Sequence, residues 1–235
     1  MKAIVLAAGR GERMRPLTDT TPKPLLRVRG RPLIEWHLLA LARAGVQEVV
    51  VNTAWLEAQI PAALGDGARF GLRIRYSMEQ RDHGGALETA GGIATALPML
   101  VDDAAKAFWV VSGDIFAPDF AFDGAAVQHF SERDLDAHLW LVPNPPFHPR
   151  GDFGLAVDGL ALADDAGPDG ARWTYANLAL ARAGLVDGVA AGQKAALGPL
   201  LYAAMRRRRI SAEVYGGEWH NVGTPQQLAE LRPAP

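Results

Sequence analysis

Small residues and one arginine lie close together near the start of this sequence and could bind phosphate. Four residues of this segment carry little or no side chain: Ala7, Ala8, Gly9 and Gly11. Backbone N–H groups there can therefore approach a ligand closely and form an anion-binding concavity. Arg13 follows, and its guanidinium offers a fork of donors that suits phosphate oxygens. The segment predicts a phosphate-binding loop.

A second cation, Lys23, lies between Pro22 and Pro24. Proline fixes its own φ, so the lysine stem leaves a stiff backbone. A rigidly held positive charge stabilises negative charge that develops in a transition state. We therefore interpret Arg13 and Lys23 as catalytic groups that act on phosphate.

A carboxylate further along the chain suggests a metal site. Asp114 follows Gly113 at the end of an apolar run over residues 107–111. In open α/β sheets, ligands lie at the carboxyl ends of the strands. Mg²⁺ usually takes one or two protein oxygens together with phosphate oxygens and waters. The sequence therefore predicts Asp114 as a magnesium ligand.

Two other phosphate-binding motifs are excluded by spacing. A Walker P-loop needs Gly-Lys-Ser/Thr after four spacer residues, and this combination is absent. Met14 stands where the dinucleotide fingerprint has its third glycine. In addition, Asn52 follows the second predicted strand, where that fingerprint needs an acidic residue.

The elements that must position these residues alternate between strands and helices. Apolar runs predict strands at residues 2–6, 49–51, 72–76 and 107–111. Helical spacing of apolar residues, with glycine or proline after them, predicts helices at residues 32–44, 55–64 and 88–97. Such alternation is typical of a Rossmann-like α/β fold, with a mostly parallel central sheet flanked by helices.

The second half of the chain changes in character. Residues 143–149 are rich in proline, and short strands are predicted at residues 139–142, 153–157, 173–180 and 210–215 around a helix at 197–207. We expect these pieces to form a small mixed lid or substrate wall on the same sheet. The chain is predicted to be a single domain over 1–235, with its two halves at about 1–115 and 116–235.

Composition indicates which classes of partner the protein is expected to bind and in which cellular compartment we expect it. The 235 residues carry a formal net charge of −2 and contain no cysteine. Nucleic acids and anionic membranes attract basic proteins, so neither is an expected partner. Disulfides and thiolate sites are excluded. The apolar start is too short for a signal peptide and no run is long enough to span a bilayer, so we expect a cytoplasmic protein.

The chain resembles the signature of the sugar-phosphate nucleotidyltransferases at residues 6–14, 16–18 and 22–25. The resemblance implies the nucleotide-diphospho-sugar transferase fold and a Mg²⁺-dependent reaction of a nucleoside triphosphate with a sugar 1-phosphate. It also implies that Arg13 holds the departing pyrophosphate and that Lys23 steadies the α-phosphate or the sugar phosphate. The backbone of Ala7, Ala8 and Gly9 would touch the base and ribose.

Within that family, the chain is most similar to the N-acetylmuramate α-1-phosphate uridylyltransferases of cell-wall recycling, over residues 13–18, 51–56, 65–71, 87–93 and 150–153. This implies UTP and N-acetylmuramic acid 1-phosphate as substrates. Residues 79–85 are about four longer than the related loop, which should form part of the base pocket. The mannose-1-phosphate guanylyltransferases share the first motif, so a guanylyltransferase stays open as an alternative.

The resemblance extends to further site residues. Asn52 would brace the nucleotide loop, and Glu79 and Gly113 would belong to the nucleotide site. The sugar phosphate would be bound by four residues of the second half: Gly151, Asp152, Asn177 and Lys194. The enzyme would act as a monomer or a small homo-oligomer.

A second metal ligand is implied at residues 219–225, which resemble the family motif Trp-x-Asp-x-Gly-Thr. Asn221 stands where the family usually has aspartate, and it offers a carbonyl oxygen without charge. Asn221 would then be the weaker ligand beside Asp114. Alternatively, it only organises the turn before a last helix, with Thr224 as N-cap and Pro225 as first residue. A non-catalytic nucleotide-sugar sensor on the same fold also stays open.

Overall fold

The computed structural model describes residues 1–102, 106–168 and 170–231. The strands in these ranges are β1 (Lys2–Leu6), β2 (Arg27–Val28), β3 (Arg31–Pro32), β4 (Glu48–Thr53), β5 (Arg73–Met78), β6 (Ala107–Ser112), β7 (Ile115–Phe116), β8 (Ala137–Val142), β9 (Gly154–Leu155), β10 (Ala161–Leu162), β11 (Thr174–Arg182), β12 (Ile210–Val214) and β13 (His220–Asn221).

The helices flank these strands. They are α1 (Leu33–Arg43), α2 (Gln59–Leu64), α3 (Glu79–His83), α4 (Glu88–Leu100), α5 (Gly124–Ser131), α6 (Leu197–Arg206) and α7 (Pro225–Glu230). Single turns of 3₁₀-helix lie at Glu12–Met14, Leu17–Asp19, Lys23–Leu25, Ala68–Phe70 and Ala183–Val186. In the described ranges, no helix is both long and apolar enough to pass through a membrane.

One seven-stranded sheet joins both halves of the chain, in the order β12-β8-β11-β6-β1-β4-β5. All neighbours are parallel except that β11 runs antiparallel to β6 and β8. In the central register, Val5 of β1 pairs with Val51 of β4 and Val111 of β6. The mostly parallel α/β sheet predicted from the sequence is confirmed.

Apolar side chains cover both faces of the sheet. Ala3 and Val5 of β1 point into one core cluster, which includes Ile34 and Leu38 of α1. Ile4 points into a second cluster with Ile93 of α4, on the other face. Because both faces are buried, β1 reads as a continuous apolar run, and its carboxyl end is the part of the strand left free for a ligand.

The second half differs from the expected lid. Strands β8, β11 and β12 are members of the central sheet itself, whereas the β9–β10 hairpin and the β13–β7 pair lie outside it. The strand predicted at 153–157 is reduced to Gly154–Leu155, because Phe153 instead bridges Trp173.

Four helices also differ from prediction. Helix α2 begins at Gln59 instead of residue 55, because Leu56 has a φ of 48° that no α-helix accommodates. Helix α4 continues through Pro98 to Leu100. Helix α3 forms the first part of the predicted loop at 79–85. Helix α5 was not predicted; its N-cap is Asp123, whose side chain accepts from Ala125 N.

Candidate active site

Two adjoining cavities open at the carboxyl ends of the central strands. The first has a volume of about 460 Å³ and lies at the end of β1. Nine residues singled out from the sequence line it: Ala7, Ala8, Gly9, Gly11, Arg13, Lys23, Asn52, Asp114 and Lys194. Ala7 and Lys194, which are 187 positions apart in the sequence, are thus brought to one cavity.

The phosphate loop is folded against the lysine segment. Gly11 has a φ of 66°, and a Cβ there would lie 3.2 Å from both Lys23 Cβ and Thr18 Cγ2. Thr18 Oγ1 donates to Gly11 O at 2.9 Å. Glycine is therefore required at position 11 both for its backbone conformation and for the close approach of Lys23.

Lys23 and Asp114 form an ion pair beside this loop, with Lys23 Nζ 2.6 Å from Asp114 Oδ2. Lys23 is only 7% exposed, so its charge needs a partner. Burial would raise the pKa of the Asp114 carboxyl, but Lys23 and the Ser112 hydroxyl outweigh it and hold that pKa below its usual range. Asp114 is therefore an ionised carboxylate on the cavity wall.

The exposure and the partners of Arg13 differ from those of Lys23. It is exposed on the rim, and within the described part of the chain it makes no ion pair and no hydrogen bond. Its guanidinium lies near Gly223, where a Cβ would be 3.5 Å from Arg13 Nη2. The guanidinium donors are thus available to an anionic ligand.

A buried hydrogen-bonded chain supports the floor of the first cavity. Ala7 N donates to Asn52 Oδ1 at 2.8 Å, and Asn52 Nδ2 donates to Glu79 Oε1 at 2.7 Å. Glu79 Oε2 accepts from Leu87 N at 2.8 Å. Burial raises the pKa of Glu79, and the hydrogen bonds from Leu87 and Asn52 oppose this rise. The chain links the end of β1 to the start of α4.

Two glycines let other groups approach α4 closely. A Cβ on Gly92 would lie 2.6 Å from Asn52 Nδ2, and one on Gly91 would lie 2.2 Å from Gln193 O. The backbone around Ala195 crosses the first turn of α4, where Ala195 O accepts from Ala90 N at 3.0 Å. The start of α4, including Glu88 and Thr89 on the cavity wall, is thereby fixed.

The second cavity has a volume of about 540 Å³ and continues from the first. Both cavities share Leu6, Arg13, Thr89 and Ser112 as lining residues. Of the residues expected to bind sugar or metal, Asp152, Asn177 and Asn221 line the second cavity. The two cavities therefore meet beside Arg13.

Asp152 is held on the wall of the second cavity by several hydrogen bonds. Its Oδ2 accepts from Tyr175 N at 2.8 Å, and its Oδ1 lies 3.0 Å from His148 Nε2. Asn177 follows at a φ of 60°, inside an irregular stretch of the β11–β8 pairing. This bulge interrupts the alternation of β11 at the cavity, as bulges beside binding sites commonly do.

Asn221 lies next to Asp114 through strand pairing. Asn221 of β13 pairs with Ile115 of β7, and Val222 N donates to Asp114 O at 3.2 Å. Thr224 caps α7 as predicted, since its side chain accepts from Gln227 N. In the described ranges, no three His, Cys, Asp or Glu side chains converge on one point. One carboxylate and one amide suit a Mg²⁺ ion whose other ligands are phosphate oxygens and water.

Four expected site residues are placed differently from their assumed roles. Glu79 is 0% exposed and lies behind Asn52, so it supports the cavity without lining it. Gly113 N donates to Leu6 O at 2.8 Å, and Gly113 is likewise absent from both linings. Gly151 packs against Asn144, where a Cβ would be 2.6 Å from Oδ1. Lys194 lies on the first cavity, 3.6 Å from Glu88, and not on the second.

Sequence reasoning missed several lining residues. Ser112 and Thr89 line both cavities, and Tyr175, His148 and Trp219 line the second. Ser112 is the last residue of β6, directly before Gly113 and Asp114, so its position at a strand end was a usable signal. His148 lies in the proline-rich loop, and no local pattern distinguishes it from a solvated side chain.

Comparisons with known proteins agree with this arrangement. The Nucleotidyl transferase family model matches residues 2–164. The chain is 50% identical to the N-acetylmuramate alpha-1-phosphate uridylyltransferase of Neisseria meningitidis serogroup B, over 99% of this chain and 97% of that protein. It is 34% identical to the protein of the same name from Caulobacter vibrioides, over 95% and 92%.

A more distant relative carries another activity in its name. The mannose-1-phosphate guanylyltransferase of Mycobacterium tuberculosis is 27% identical over 96% of this chain and 62% of that protein. Among solved structures, a Bacillus anthracis protein described as a glucose-1-phosphate thymidylyltransferase superposes with a TM-score of 0.78 at 20% identity, over 98% of this chain and 93% of that one. At that identity, the superposition establishes the fold.

The family model covers more than half of the chain, and relatives of 50% and 34% identity align over nearly its whole length. The motif that gave the first indication, residues 6–14 with Lys23, lies in the matched region, and all of it except Arg10 and Met14 lines the first cavity. Sequence, fold and cavity thus agree that the chain is a member of the nucleotidyl transferase family.

Proposed function

We propose that this chain joins UTP and N-acetylmuramic acid 1-phosphate to give UDP-N-acetylmuramic acid and pyrophosphate. The observation that carries the proposal is the meeting of two cavities beside Arg13, with the Lys23–Asp114 pair on the wall of the first. A two-substrate transfer needs two sites that open onto each other. The names of the Neisseria and Caulobacter relatives support the choice of substrates.

The nucleotide occupies the first cavity. The Ala7–Ala8–Gly9 backbone lies under the base and ribose, and Asn52 holds this segment through its bond from Ala7 N. The triphosphate extends towards Arg13 and Lys23, whose charges offset those of the phosphates. Glu79 acts as a positioning residue, because its contacts run through Asn52 and Leu87.

The sugar phosphate occupies the second cavity, between Asp152 and Asn177 on one side and Asn221 on the other. A phosphate oxygen of the sugar attacks the α-phosphorus of UTP as the bond to pyrophosphate breaks. No proton transfer and no covalent enzyme intermediate are needed. Catalysis then consists of positioning the substrates and stabilising the developing charge, with Lys23 at the α-phosphate and Arg13 at the departing pyrophosphate.

Asp114 and Asn221 would hold Mg²⁺ as part of this proposal. When bound, the ion offsets charge on the α-phosphate and the leaving pyrophosphate. The ionised state of Asp114 supports its role as the stronger ligand. We further propose that the reaction belongs to cell-wall recycling in the cytoplasm.

The decisive experiment measures pyrophosphate release with Mg²⁺ while UTP, GTP, CTP and dTTP are crossed with several sugar 1-phosphates. The expected result is that UTP with N-acetylmuramic acid 1-phosphate has the highest kcat/KM. A maximum for GTP with mannose 1-phosphate would replace the proposal by a guanylyltransferase. Saturable binding of nucleotide sugar without pyrophosphate release from any pair would identify a sensor, which the uncharged Asn221 favours.

A further inference from the structure

The second cavity has an uneven distribution of charge. Among its described lining residues, Arg13 and His148 are the basic side chains and Asp152 is the acidic one. Arg13 lies at the junction with the first cavity, whereas His148 lines the second cavity alone. His148 is therefore a separate basic side chain, on the sugar side of the site.

The loop that carries His148 is held in one conformation. Residues 143–149 contain four prolines, each of which fixes its own φ. His148 N donates to Pro145 O at 2.8 Å, and Gly151 N donates to His148 O at 3.2 Å. Asn144 Nδ2 donates to Arg172 O at 2.9 Å, which attaches the loop to the segment before β11. A rigid loop presents its side chain at low entropic cost on binding.

Asp152 orients the ring of His148, whose backbone is held by the loop itself. The carboxylate accepts, so Nε2–H is the donor across the 3.0 Å contact between His148 and Asp152. Asp152 is itself anchored, because its other oxygen accepts from Tyr175 N. In the described part of the chain, Nδ1 of His148 has no hydrogen-bond partner. Nδ1 of His148 is thus left for a ligand, and it donates a hydrogen bond there when it carries a proton.

The substrate named in the proposed function has a second anionic group. N-acetylmuramic acid differs from N-acetylglucosamine by a lactic acid ether on O3, which adds a carboxylate and a methyl group. Arg13 and Lys23 serve the phosphates at one end of the sugar. An anionic substituent at the other end needs a hydrogen-bond donor of its own, because a carboxylate in a partly enclosed cavity loses hydration.

We propose that His148, held by Asp152, is the specificity residue that binds the lactyl carboxylate of the sugar substrate. This inference rests on the proposed function and deepens it. Phe147, the preceding residue, is 53% exposed and lines the same cavity, so its ring offers apolar surface to the lactyl methyl group. Phe147 also lines a neighbouring groove of about 670 Å³ with Pro145 and Trp219, which leaves room for the substituent.

The test compares N-acetylmuramic acid 1-phosphate with N-acetylglucosamine 1-phosphate, which lacks the lactyl group, at saturating UTP. Pyrophosphate release gives kcat/KM for each sugar in wild type, in His148→Gln and in His129→Gln. His129 is an exposed histidine of α5 that lines none of the cavities described above, so it is the matched control. Glutamine keeps a hydrogen-bonding side chain at position 148 and removes the imidazole ring.

We expect the ratio of kcat/KM for the two sugars to fall about tenfold or more in His148→Gln, as one charge-assisted hydrogen bond is lost. His129→Gln should keep the wild-type ratio. An unchanged ratio in His148→Gln overturns the inference while nucleotidyl transfer stands, and so does a wild type with no preference between the sugars. No pyrophosphate release from either sugar overturns the proposed function itself, and the inference with it.

Discussion

Lys23 and Arg13 are both cations of the first cavity, but their surroundings differ. Lys23 is buried and paired with Asp114 at 2.6 Å, whereas Arg13 is exposed and makes no ion pair with the described residues. We expect Lys23→Ala and Arg13→Ala each to lower kcat by about 10²-fold or more, because each removes a placed donor to transition-state charge. Pyrophosphate release under saturating substrates measures this.

The control for both variants is Arg15→Ala. Arg15 belongs to the same segment, but it is exposed, paired with Asp19 at 2.8 Å and absent from both cavity linings. Its kcat should stay within about twofold of wild type, as an exposed ion pair contributes little. Near-normal turnover in both Lys23→Ala and Arg13→Ala would remove these residues from the proposed mechanism.

Asn221 gives a second prediction at the level of single residues. A carboxylate binds a hard cation more strongly than an amide oxygen does. Asn221→Asp should therefore lower the Mg²⁺ concentration that gives half-maximal activity, and Asp114→Asn should raise it. A magnesium titration of pyrophosphate release measures both. If Asn221→Asp leaves the magnesium dependence unchanged while Asp114→Asn shifts it, Asn221 is not a magnesium ligand.

At the level of elements, the start of α4 depends on the absence of side chains. A Cβ on Gly92 would lie 2.6 Å from Asn52 Nδ2 and 2.7 Å from Glu79 Oε1. We expect Gly92→Ala to lower the free energy of unfolding by about 1–3 kcal/mol, as overpacking of a buried site does. It should also raise the KM for UTP, because displaced Asn52 no longer holds Ala7 N. Urea unfolding and steady-state kinetics measure these effects.

Gly124→Ala is the matched control for Gly92→Ala. Gly124 is the first residue of α5, and a Cβ there meets no atom within 4 Å. Alanine is the better helix former, so the free energy of unfolding should stay the same or rise slightly. If Gly92→Ala behaves like Gly124→Ala, the start of α4 is less tightly packed than the structure indicates.

For the whole molecule, buried histidines predict sensitivity to acid. Burial lowers the pKa of His138 to about 4, and the charges of His129 and Arg133 act in the same direction. Burial lowers the pKa of His37 to about 4 as well. Unfolded histidine takes up a proton near pH 6.5, so the neutral buried ring contributes stability above that pH. This stability is lost as the pH falls from 6.5 towards 4.

We therefore expect His138 alone to contribute about 3 kcal/mol to the fall in free energy of unfolding between pH 7 and pH 4. Urea unfolding at several pH values should show a smaller fall in His138→Gln, which stays neutral. The exposed His83, replaced by glutamine, should leave the fall as in wild type. Equal losses in wild type and His138→Gln would show that this histidine does not drive acid unfolding.

The local sequence determined the type of fold and the chemical core of the site. Strands β1, β4 and β6 are apolar runs, so they can be recognised without the rest of the chain. Arg13 was assigned from the small-residue loop before it, Lys23 from its two flanking prolines and Asp114 from its place at a strand end, and all three line the first cavity. Such features depend on neighbours in sequence, which is why a local pattern reveals them.

Only the tertiary structure decided which residues support the site and which line it. Glu79 was expected at the nucleotide, but it lies fully buried behind Asn52, 27 positions away. His148 carries no pattern of its own, and its place on the second cavity follows from its bond to Asp152 and from the pairing of β11 with β8. Hydrogen bonds and burial between distant segments form only when the sheet assembles, so no local pattern of residues specifies them.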